Sequence, residues 1–156
     1  MSHHPLEQVE LTNMAAVIDR KNHKVLVQER VKSWCGIAFP GGHVEKGESV
    51  VLSTIREIKE ETGLSIKNLK SCGIKDWYEK DQNKRYIVFL YCTEDFSGEL
   101  REETPEGKVF WVDLDHLPQE KLSSGFIEMA EMMLGQRVAS EFYYEIDNED
   151  WKKKFY

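Results

Sequence analysis

Residues 42–64 read GHVEKGESVVLSTIREIKEETGL. The stretch predicts a helix over 49–62, because Ser49 is a preferred N-cap residue and Gly63 suits the position after the last helical turn. Its apolar positions recur every three or four residues and share one face: Val51, Ile55, Ile58 and Thr62. We expect that face to pack against a sheet.

The other side of the predicted helix carries a high density of acids. Three glutamates and one serine share it: Glu57, Glu60, Glu61 and Ser53. Two carboxylates about 6 Å apart repel by roughly 3 kcal/mol at an effective dielectric constant near 20. One interpretation is a solvated acidic face that is partly relieved by Arg56 and Lys59. The other is a site for a divalent cation, Mg²⁺ or Mn²⁺, because hard cations bind groups of oxygen ligands.

The stretch also matches the pattern G-x5-E-x7-R-E-U-x-E-E-x-G-U, in which U is a bulky aliphatic residue. The matching positions are Gly42, Glu48, Arg56, Glu57, Ile58, Glu60, Glu61, Gly63 and Leu64. On this motif, and on the FPGG segment that leads into it, the chain is identified as a member of the Nudix family. The resemblance implies an α+β Nudix fold, an α/β/α sandwich with a central mixed β-sheet, in one domain over residues 1–156.

Nudix enzymes hydrolyse a nucleoside diphosphate linked to another group, with divalent ions at the phosphates. The resemblance therefore implies an enzyme that uses Mg²⁺, with Mn²⁺ as a second option. Glu57 and Glu61 resemble the main metal ligands, and Glu60 and the backbone carbonyl of Gly42 resemble further ligands. Glu57 and Glu60 are both candidates for the base that takes a proton from the attacking water, and the sequence leaves this choice open.

Other residues resemble supporting parts of such a site. Arg56 is expected to hold a glutamate through a charge-assisted hydrogen bond, with direct contact to a phosphate as the alternative. Glu48 and Gly63 resemble structural residues of the box. Many relatives add an acid from a loop beyond the box, and here Glu106 is the first choice and Glu103 the second. A solvated acidic loop is the alternative for both.

Candidates for substrate binding lie mostly outside the box. His43, Arg30 and Lys32 are basic residues that could contact a phosphate. Four aromatic residues could stack on a base: Trp34, Phe39, Trp77 and Tyr78. Packing in the protein core is the competing interpretation for each of them.

The rest of the chain predicts strands around this helix. Segments rich in β-branched and aromatic residues predict strands at 11–19, 24–30, 64–79, 85–92 and 108–114. Residues 34–48 predict an irregular segment, since they contain four glycines and a proline. A second amphipathic helix is predicted over 123–135, with four residues on one face: Phe126, Met129, Ala130 and Met133. The tail, residues 136–156, has no clear assignment.

Composition limits the classes of partner. The chain has 156 residues and a formal net charge of −7, which disfavours nucleic acid and anionic membranes. No apolar run approaches the roughly 20 residues that span a bilayer. The three cysteines, Cys35, Cys72 and Cys92, show no CxxC spacing and predict reduced thiols in the cytoplasm. The expected partner is a small nucleotide, and a homodimer stays open.

The sequence also bears on the substrate. ADP-ribose hydrolases of the family often carry a proline downstream of the box, at a position that is Glu79 here. Without that marker, the chain resembles the MutT group, which converts nucleoside triphosphates to monophosphates and pyrophosphate. The leading hypothesis is hydrolysis of 8-oxo-dGTP to 8-oxo-dGMP. The alternatives are ADP-ribose, a dinucleoside polyphosphate, a capped RNA, or a Nudix module that binds a nucleotide without cleaving it.

Overall fold

The computed structural model describes residues 3–156. The strands are β1 (Gln8–Asp19), β2 (Lys24–Arg30), β3 (Gly36–Ala38), β4 (Gly41–His43), β5 (Ser65–Lys67), β6 (Lys70–Glu79), β7 (Lys84–Thr93), β8 (Asp95–Ser97), β9 (Glu103–Thr104), β10 (Gly107–Asp113), β11 (Glu141–Asp147) and β12 (Asp150–Phe155). The helices are α1 (Val50–Thr62) and α2 (Phe126–Met133), and a short 3₁₀ turn covers Lys80–Gln82.

A mixed sheet forms the centre of the fold, with the strand order β12-β11-β6-β7-β1-β2-β10-β9. The β1–β7 and β11–β6 pairs are parallel, and the other pairs along this order are antiparallel. The short strand β4 pairs with β1, so that Asn13 lies opposite Gly42. This register brings the start of the box onto the middle of the sheet.

The two helices cover opposite faces of the sheet. Residues of α2 share a core with one alternating set of strand residues: Ala16, Ile18, Val25 and Val27. Ile58 of α1 shares a second core with the other set: Ala15, Val17, Leu26 and Val109. Successive side chains of a strand point to opposite faces, so the sheet lies between the helices. The predicted α+β sandwich with a mixed sheet is confirmed.

The ends of α1 follow the prediction. The backbone N–H of Leu52 donates to Ser49 Oγ at 3.3 Å, and Gly63 ends the helix at φ 82° with its N–H bonded to the Lys59 carbonyl. Both caps depend on residue types within a few positions of the helix end.

The predicted faces of α1 were partly wrong. Ser53, which the helical periodicity placed with the acids away from the sheet, is fully buried. Val51, expected on the packed face, is 40% exposed. The reason is a polar partner in the sheet, Asn13, whose side-chain N–H donates to Ser53 Oγ and makes the burial of a hydroxyl favourable.

Other boundaries also differ from those predicted. The segment 34–48 contains two short strands, β3 and β4, where an irregular chain was expected. The strand predicted over 64–79 is two strands, because Asn68 between them adopts φ 56°. The second helix is shorter than 123–135 and begins after Gly125, which lies at φ 77°.

The C-terminal tail extends the sheet. Its two strands, β11 and β12, form an antiparallel hairpin, and β11 pairs in parallel with β6. The register sets Tyr144 opposite Trp77. Within residues 3–156, neither helix is long and apolar enough to cross a membrane.

Candidate active site

A close approach of β4 to α1 forms the base of the site. A Cβ atom added to Gly42 would overlap the carboxyl group of Glu57, and one added to Gly41 would overlap the backbone carbonyl of Asn13. The Gly41 N–H donates to Glu61 Oε2 at 3.3 Å. The glycine pair therefore lets the backbone lie directly against two acids of the helix.

Asn13 connects the three elements that meet there. Its Oδ1 accepts a hydrogen bond from the Gly42 N–H at 3.1 Å, and its Nδ2 donates to Ser53 Oγ at 2.9 Å. Ser53 Oγ in turn donates to the Val50 carbonyl at 2.7 Å. Asn13 was not predicted from the sequence, although a buried amide inside the apolar stretch LTNMAAVID is an indication of a structural hydrogen bond.

Arg56 organises the remaining carboxylates. Its five N–H donors all have acceptors in the protein: both oxygens of Glu48 at 2.8 and 3.0 Å, Glu57 Oε1 at 3.0 Å, Glu60 Oε2 at 3.1 Å and the His43 carbonyl at 3.1 Å. The geometry supports the role of Arg56 in holding glutamates. Direct contact with a phosphate would require the guanidinium to give up one of these bonds.

Glu48 completes this network. It also accepts from the backbone N–H of Glu45 at 3.1 Å, and the Arg56 guanidinium lowers the pKa of its carboxyl group. The same bidentate pair raises the pKa of Arg56. Glu48 is therefore fixed as an anion that orients Arg56, in agreement with a structural role.

The two half-buried acids of α1 have an unfavourable electrostatic environment. Burial raises the pKa of Glu57, although Arg56 opposes the effect. Burial and the neighbouring charge of Glu57 raise the pKa of Glu61 to about 7. These carboxylates, with the Gly42 backbone beside them, form an all-oxygen group whose repulsion a divalent cation would relieve. The residues present therefore fit such an ion.

The predicted acid beyond the box lies close to this group. The charge of Glu106 adds to the pKa elevation of Glu61, and Arg30 opposes it. Glu106 is half-buried and forms an ion pair with Lys32 at 3.2 Å. Glu103, the second choice, is exposed on β9. Lys32 is thus engaged by an acid of the site and does not line the cavity described next.

A cavity of about 250 Å³ opens beside the acids. Gly42, His43 and Arg30 line one part of it, while Trp34, Trp77 and Tyr86 supply aromatic walls. His43 is exposed, and its Nε2 lies 2.6 Å from Glu10 Oε1 at the same rim. The cavity is continuous with the box through Gly42, so one ligand can contact both.

The four predicted aromatic residues differ in position. Trp77 is buried and stacks on Tyr86 with ring centroids 4.9 Å apart. Trp34 is 59% exposed and meets Trp77 edge-on at 5.6 Å. Phe39 is fully buried against Phe126.

Tyr78 is the exception among the predicted binding residues. It follows Trp77 directly, so strand alternation places it on the other face of the sheet. There its hydroxyl donates to Asn83 Oδ1 at 2.7 Å, and it does not line the cavity. Tyr78 therefore lies away from the other predicted binding residues of this cavity.

A second group of potential metal ligands lies elsewhere. Side-chain atoms of His23, Asp113 and Asp115 lie within 4.8 Å of one another. His23 precedes β2, which is about 20 Å long, whereas Arg30, whose charge acts on Glu61, ends it. It is not part of the site predicted from the sequence.

The chain is similar to known proteins in sequence and in fold. The model of the NUDIX domain matches residues 10–133. The Nudix hydrolase YvcI of Bacillus subtilis is 29% identical, over 76% of this chain and 75% of that protein. The ADP-ribose pyrophosphatase of Methanocaldococcus jannaschii is 32% identical, over 66% of this chain and 62% of that protein.

A solved structure extends the similarity to the whole fold. The mutator MutT protein from Bacillus halodurans superposes with a TM-score of 0.73 at 25% identity. The match covers 92% of this chain and 97% of that one.

Proposed function

The chain belongs to the Nudix family as a MutT-like hydrolase of nucleoside diphosphate-linked compounds, and we propose that its substrate is a nucleoside triphosphate. The products are the nucleoside monophosphate and pyrophosphate, and 8-oxo-dGTP is the leading candidate substrate. We also propose Mg²⁺ as the metal, with Mn²⁺ as a substitute, and one catalytic domain over residues 1–156.

One observation carries this proposal: the acids and the aromatic cavity meet at Gly42. The cavity of about 250 Å³ is smaller than the roughly 300–1,000 Å³ typical of sites for drug-sized ligands. Its size suits one nucleoside, with the phosphates directed toward the acids. A nucleoside triphosphate has one nucleoside to enclose, whereas ADP-ribose and dinucleoside polyphosphates carry a second sugar or nucleoside.

The proposed ligands of the ion are carboxylates and one carbonyl of this site: Glu57, Glu60, Glu61, Glu106 and the backbone oxygen of Gly42. A bound divalent cation supplies charge neutralisation at the phosphate oxygens and lowers the pKa of water. Arg56 keeps Glu57 and Glu60 in fixed orientations before the substrate arrives. This arrangement reduces the cost of organising the site during the reaction.

The proposed reaction is hydrolysis of a phosphoanhydride. The oxygen of water forms a bond to phosphorus, the bond from that phosphorus to the bridging oxygen breaks, and the bridging oxygen leaves with the pyrophosphate. Glu57 or Glu60 accepts the proton of the water. Glu57 is the more buried of the two, whereas the side chain of Glu60 is 59% exposed.

Basic residues at the rim are proposed to receive the phosphates. Arg30 and His43 line the cavity on the side of the box. The net charge of −7 repels a polyanion overall. The attraction for the phosphates must therefore come from these basic residues and from the proposed metal ion.

A substrate panel tests the proposal. Purified protein is assayed with 8-oxo-dGTP, the four normal dNTPs, ADP-ribose and diadenosine polyphosphates, with Mg²⁺ and with Mn²⁺. We expect kcat/KM to be highest for a triphosphate, with stoichiometric pyrophosphate release. A higher kcat/KM for ADP-ribose would reject the assignment.

ADP-ribose is the second candidate because of one comparison. The archaeal relative at 32% identity is an ADP-ribose pyrophosphatase. Against it, Glu79 stands where such hydrolases often carry proline. The same panel separates the two by its products, since ADP-ribose yields AMP and ribose 5-phosphate without pyrophosphate.

A further inference from the structure

Lys75 is a buried cation in the wall of the cavity. It lies on β6, two residues before Trp77, and its residue surface is only 8% exposed. Lysine is seldom buried to this extent unless its charge is paired. The nearby acid Glu128 is bound to Lys153 at 2.6 Å, so it does not pair directly with Lys75.

The surroundings hold the ammonium group in a defined position. Its Nζ donates to the Ser124 carbonyl at 3.1 Å. The Nζ atom also lies 5.1, 5.7 and 5.6 Å from the ring centroids of Tyr144, Trp77 and Phe142. Rings at such distances attract a cation, but they accept no conventional hydrogen bond.

Gly125 leaves room for this arrangement. A Cβ atom there would lie 2.9 Å from the Tyr144 hydroxyl and 3.2 Å from Lys75 Nζ. The Tyr144 hydroxyl is itself hydrogen-bonded to Ser124 Oγ at 2.9 Å, which fixes the loop that accepts from Lys75. The position of the ammonium group is therefore built by three parts of the chain: β6, β11 and the segment before α2.

An ammonium group has three N–H donors and no acceptor. Within residues 3–156, the acceptor that the structure gives Nζ is the Ser124 carbonyl. Lys75, Ser123 and Ser124 line the cavity together, as do Gly42 and His43 beside the acids. A nucleotide whose phosphates reach the acids can thus present its base to Lys75.

We propose that Lys75 determines base specificity by donating a hydrogen bond to the O6 carbonyl of an oxopurine, guanine or 8-oxoguanine, and thereby selects it over adenine. Adenine carries an amino donor at the same position, which would face the ammonium group and give its remaining N–H donors no acceptor. This inference rests on the proposed nucleotide hydrolysis, because it assumes that a nucleoside occupies the cavity.

The expected selectivity is large enough to measure. A hydrogen bond to a charged group contributes enough to change an affinity by about 10- to 100-fold. A mismatch that leaves a buried charge unpaired adds to the discrimination. Recognition of a phosphate by Lys75 would instead affect all nucleotides equally.

The test is equilibrium binding of dGMP, dIMP and dAMP to the wild-type protein and to Lys75→Met. Hypoxanthine has the O6 carbonyl of guanine without its amino group, so dIMP isolates the proposed contact. We expect the wild type to bind dGMP and dIMP about 10- to 100-fold more tightly than dAMP. Lys75→Met should lose this preference through weaker binding of dGMP and dIMP.

Two controls separate specificity from folding. Replacing a buried charge by an apolar side chain of similar length is often neutral or stabilising, so Lys75→Met should keep or raise the Tm. Lys152→Met removes an exposed lysine of β12 and should leave the base preference unchanged.

The possible contradictions are distinct. Any one of four results would overturn the inference. The wild type does not bind dGMP, it binds dGMP and dAMP equally, it binds dIMP as weakly as dAMP, or Lys75→Met keeps the wild-type base preference. Because binding of monophosphates requires no hydrolysis, a base preference without pyrophosphate release would reject the proposed reaction and keep the role of Lys75.

Discussion

Gly42 lies so close to Glu57 that a side chain at position 42 would occupy the space of the Glu57 carboxyl group. This contact connects the strand that begins the box to the helix that ends it. A glycine is needed at position 42 because a side chain would not fit there, and not because of an unusual backbone φ angle. It also makes the position of Glu57 sensitive to a single methyl group.

Gly42→Ala should therefore reduce activity by displacing Glu57. A shift of about 1 Å at a catalytic group can cost about 100-fold in rate, and we expect kcat/KM to fall by at least this factor. The measurement is steady-state kinetics on the best substrate of the panel. Ser97→Ala, at an exposed position of β8, is the control. Equal activity of the two variants would contradict the contact.

Asn13→Ala tests the polar connection below the site. The substitution removes the partners of the Gly42 N–H and of Ser53, which leaves buried polar groups unsatisfied. We expect the free energy of unfolding to fall by about 2–4 kcal/mol, as measured by urea denaturation. Asn22→Ala, which removes one side-chain hydrogen bond of an exposed turn, should cost less than about 1 kcal/mol. Comparable losses in both variants would show that Asn13 has no special structural role.

Glu57→Gln tests the proposed chemistry with little change of shape. The amide oxygen can still accept from Arg56, so the fold should persist, but the variant lacks the negative charge and the basic oxygen. We expect hydrolysis to fall by about 100- to 10,000-fold. Glu149→Gln, at an exposed position of the C-terminal hairpin, should keep full activity. Near-normal turnover by Glu57→Gln would remove this residue from the mechanism.

Lys75 also predicts a pH dependence of stability. Burial lowers the pKa of its ammonium group to about 8, against about 10.5 for an unfolded chain. Between these values the unfolded state binds more protons than the folded state, so Lys75 makes the free energy of unfolding rise with pH. Relative to Lys75→Met, the wild type should gain up to about 3 kcal/mol from pH 8 to 10.5.

Urea unfolding of both proteins between pH 7.5 and 10.5 measures this difference. Because other titrating groups contribute equally to both, they cancel in the comparison. A difference that stays constant with pH would mean that Lys75 titrates as an ordinary exposed lysine.

The features that were predicted correctly depend on residues close together in the chain. Ser49 and Gly63 define the ends of α1 through short-range hydrogen bonds, and the box motif placed the acids on that helix. The face of α1 that packs was less predictable, because burial of Ser53 depends on Asn13, 40 positions away along the chain. Helical periodicity shows which residues share one face of a helix. It does not show which side chains of another element contact that face.

Lys75 and the tail show a second limit. A lysine within a strand is ordinarily expected on a solvated face, and the rings of Phe142 and Tyr144 that surround it come from β11. The parallel pairing of β11 with β6 joins residues far apart in the chain, so no local pattern predicts it. The part of the cavity around Lys75 therefore emerges only from the tertiary structure.

The proposed function requires that the glutamates of α1 hold a divalent cation that receives the pyrophosphate of a substrate. The most direct measurement is anomalous diffraction from crystals grown with Mn²⁺ and a non-hydrolysable nucleoside triphosphate. We expect a manganese peak bound by Glu57, Glu61 and the Gly42 carbonyl, with the phosphates on its open side. A manganese peak at another place, with those carboxylates turned to solvent, would contradict it.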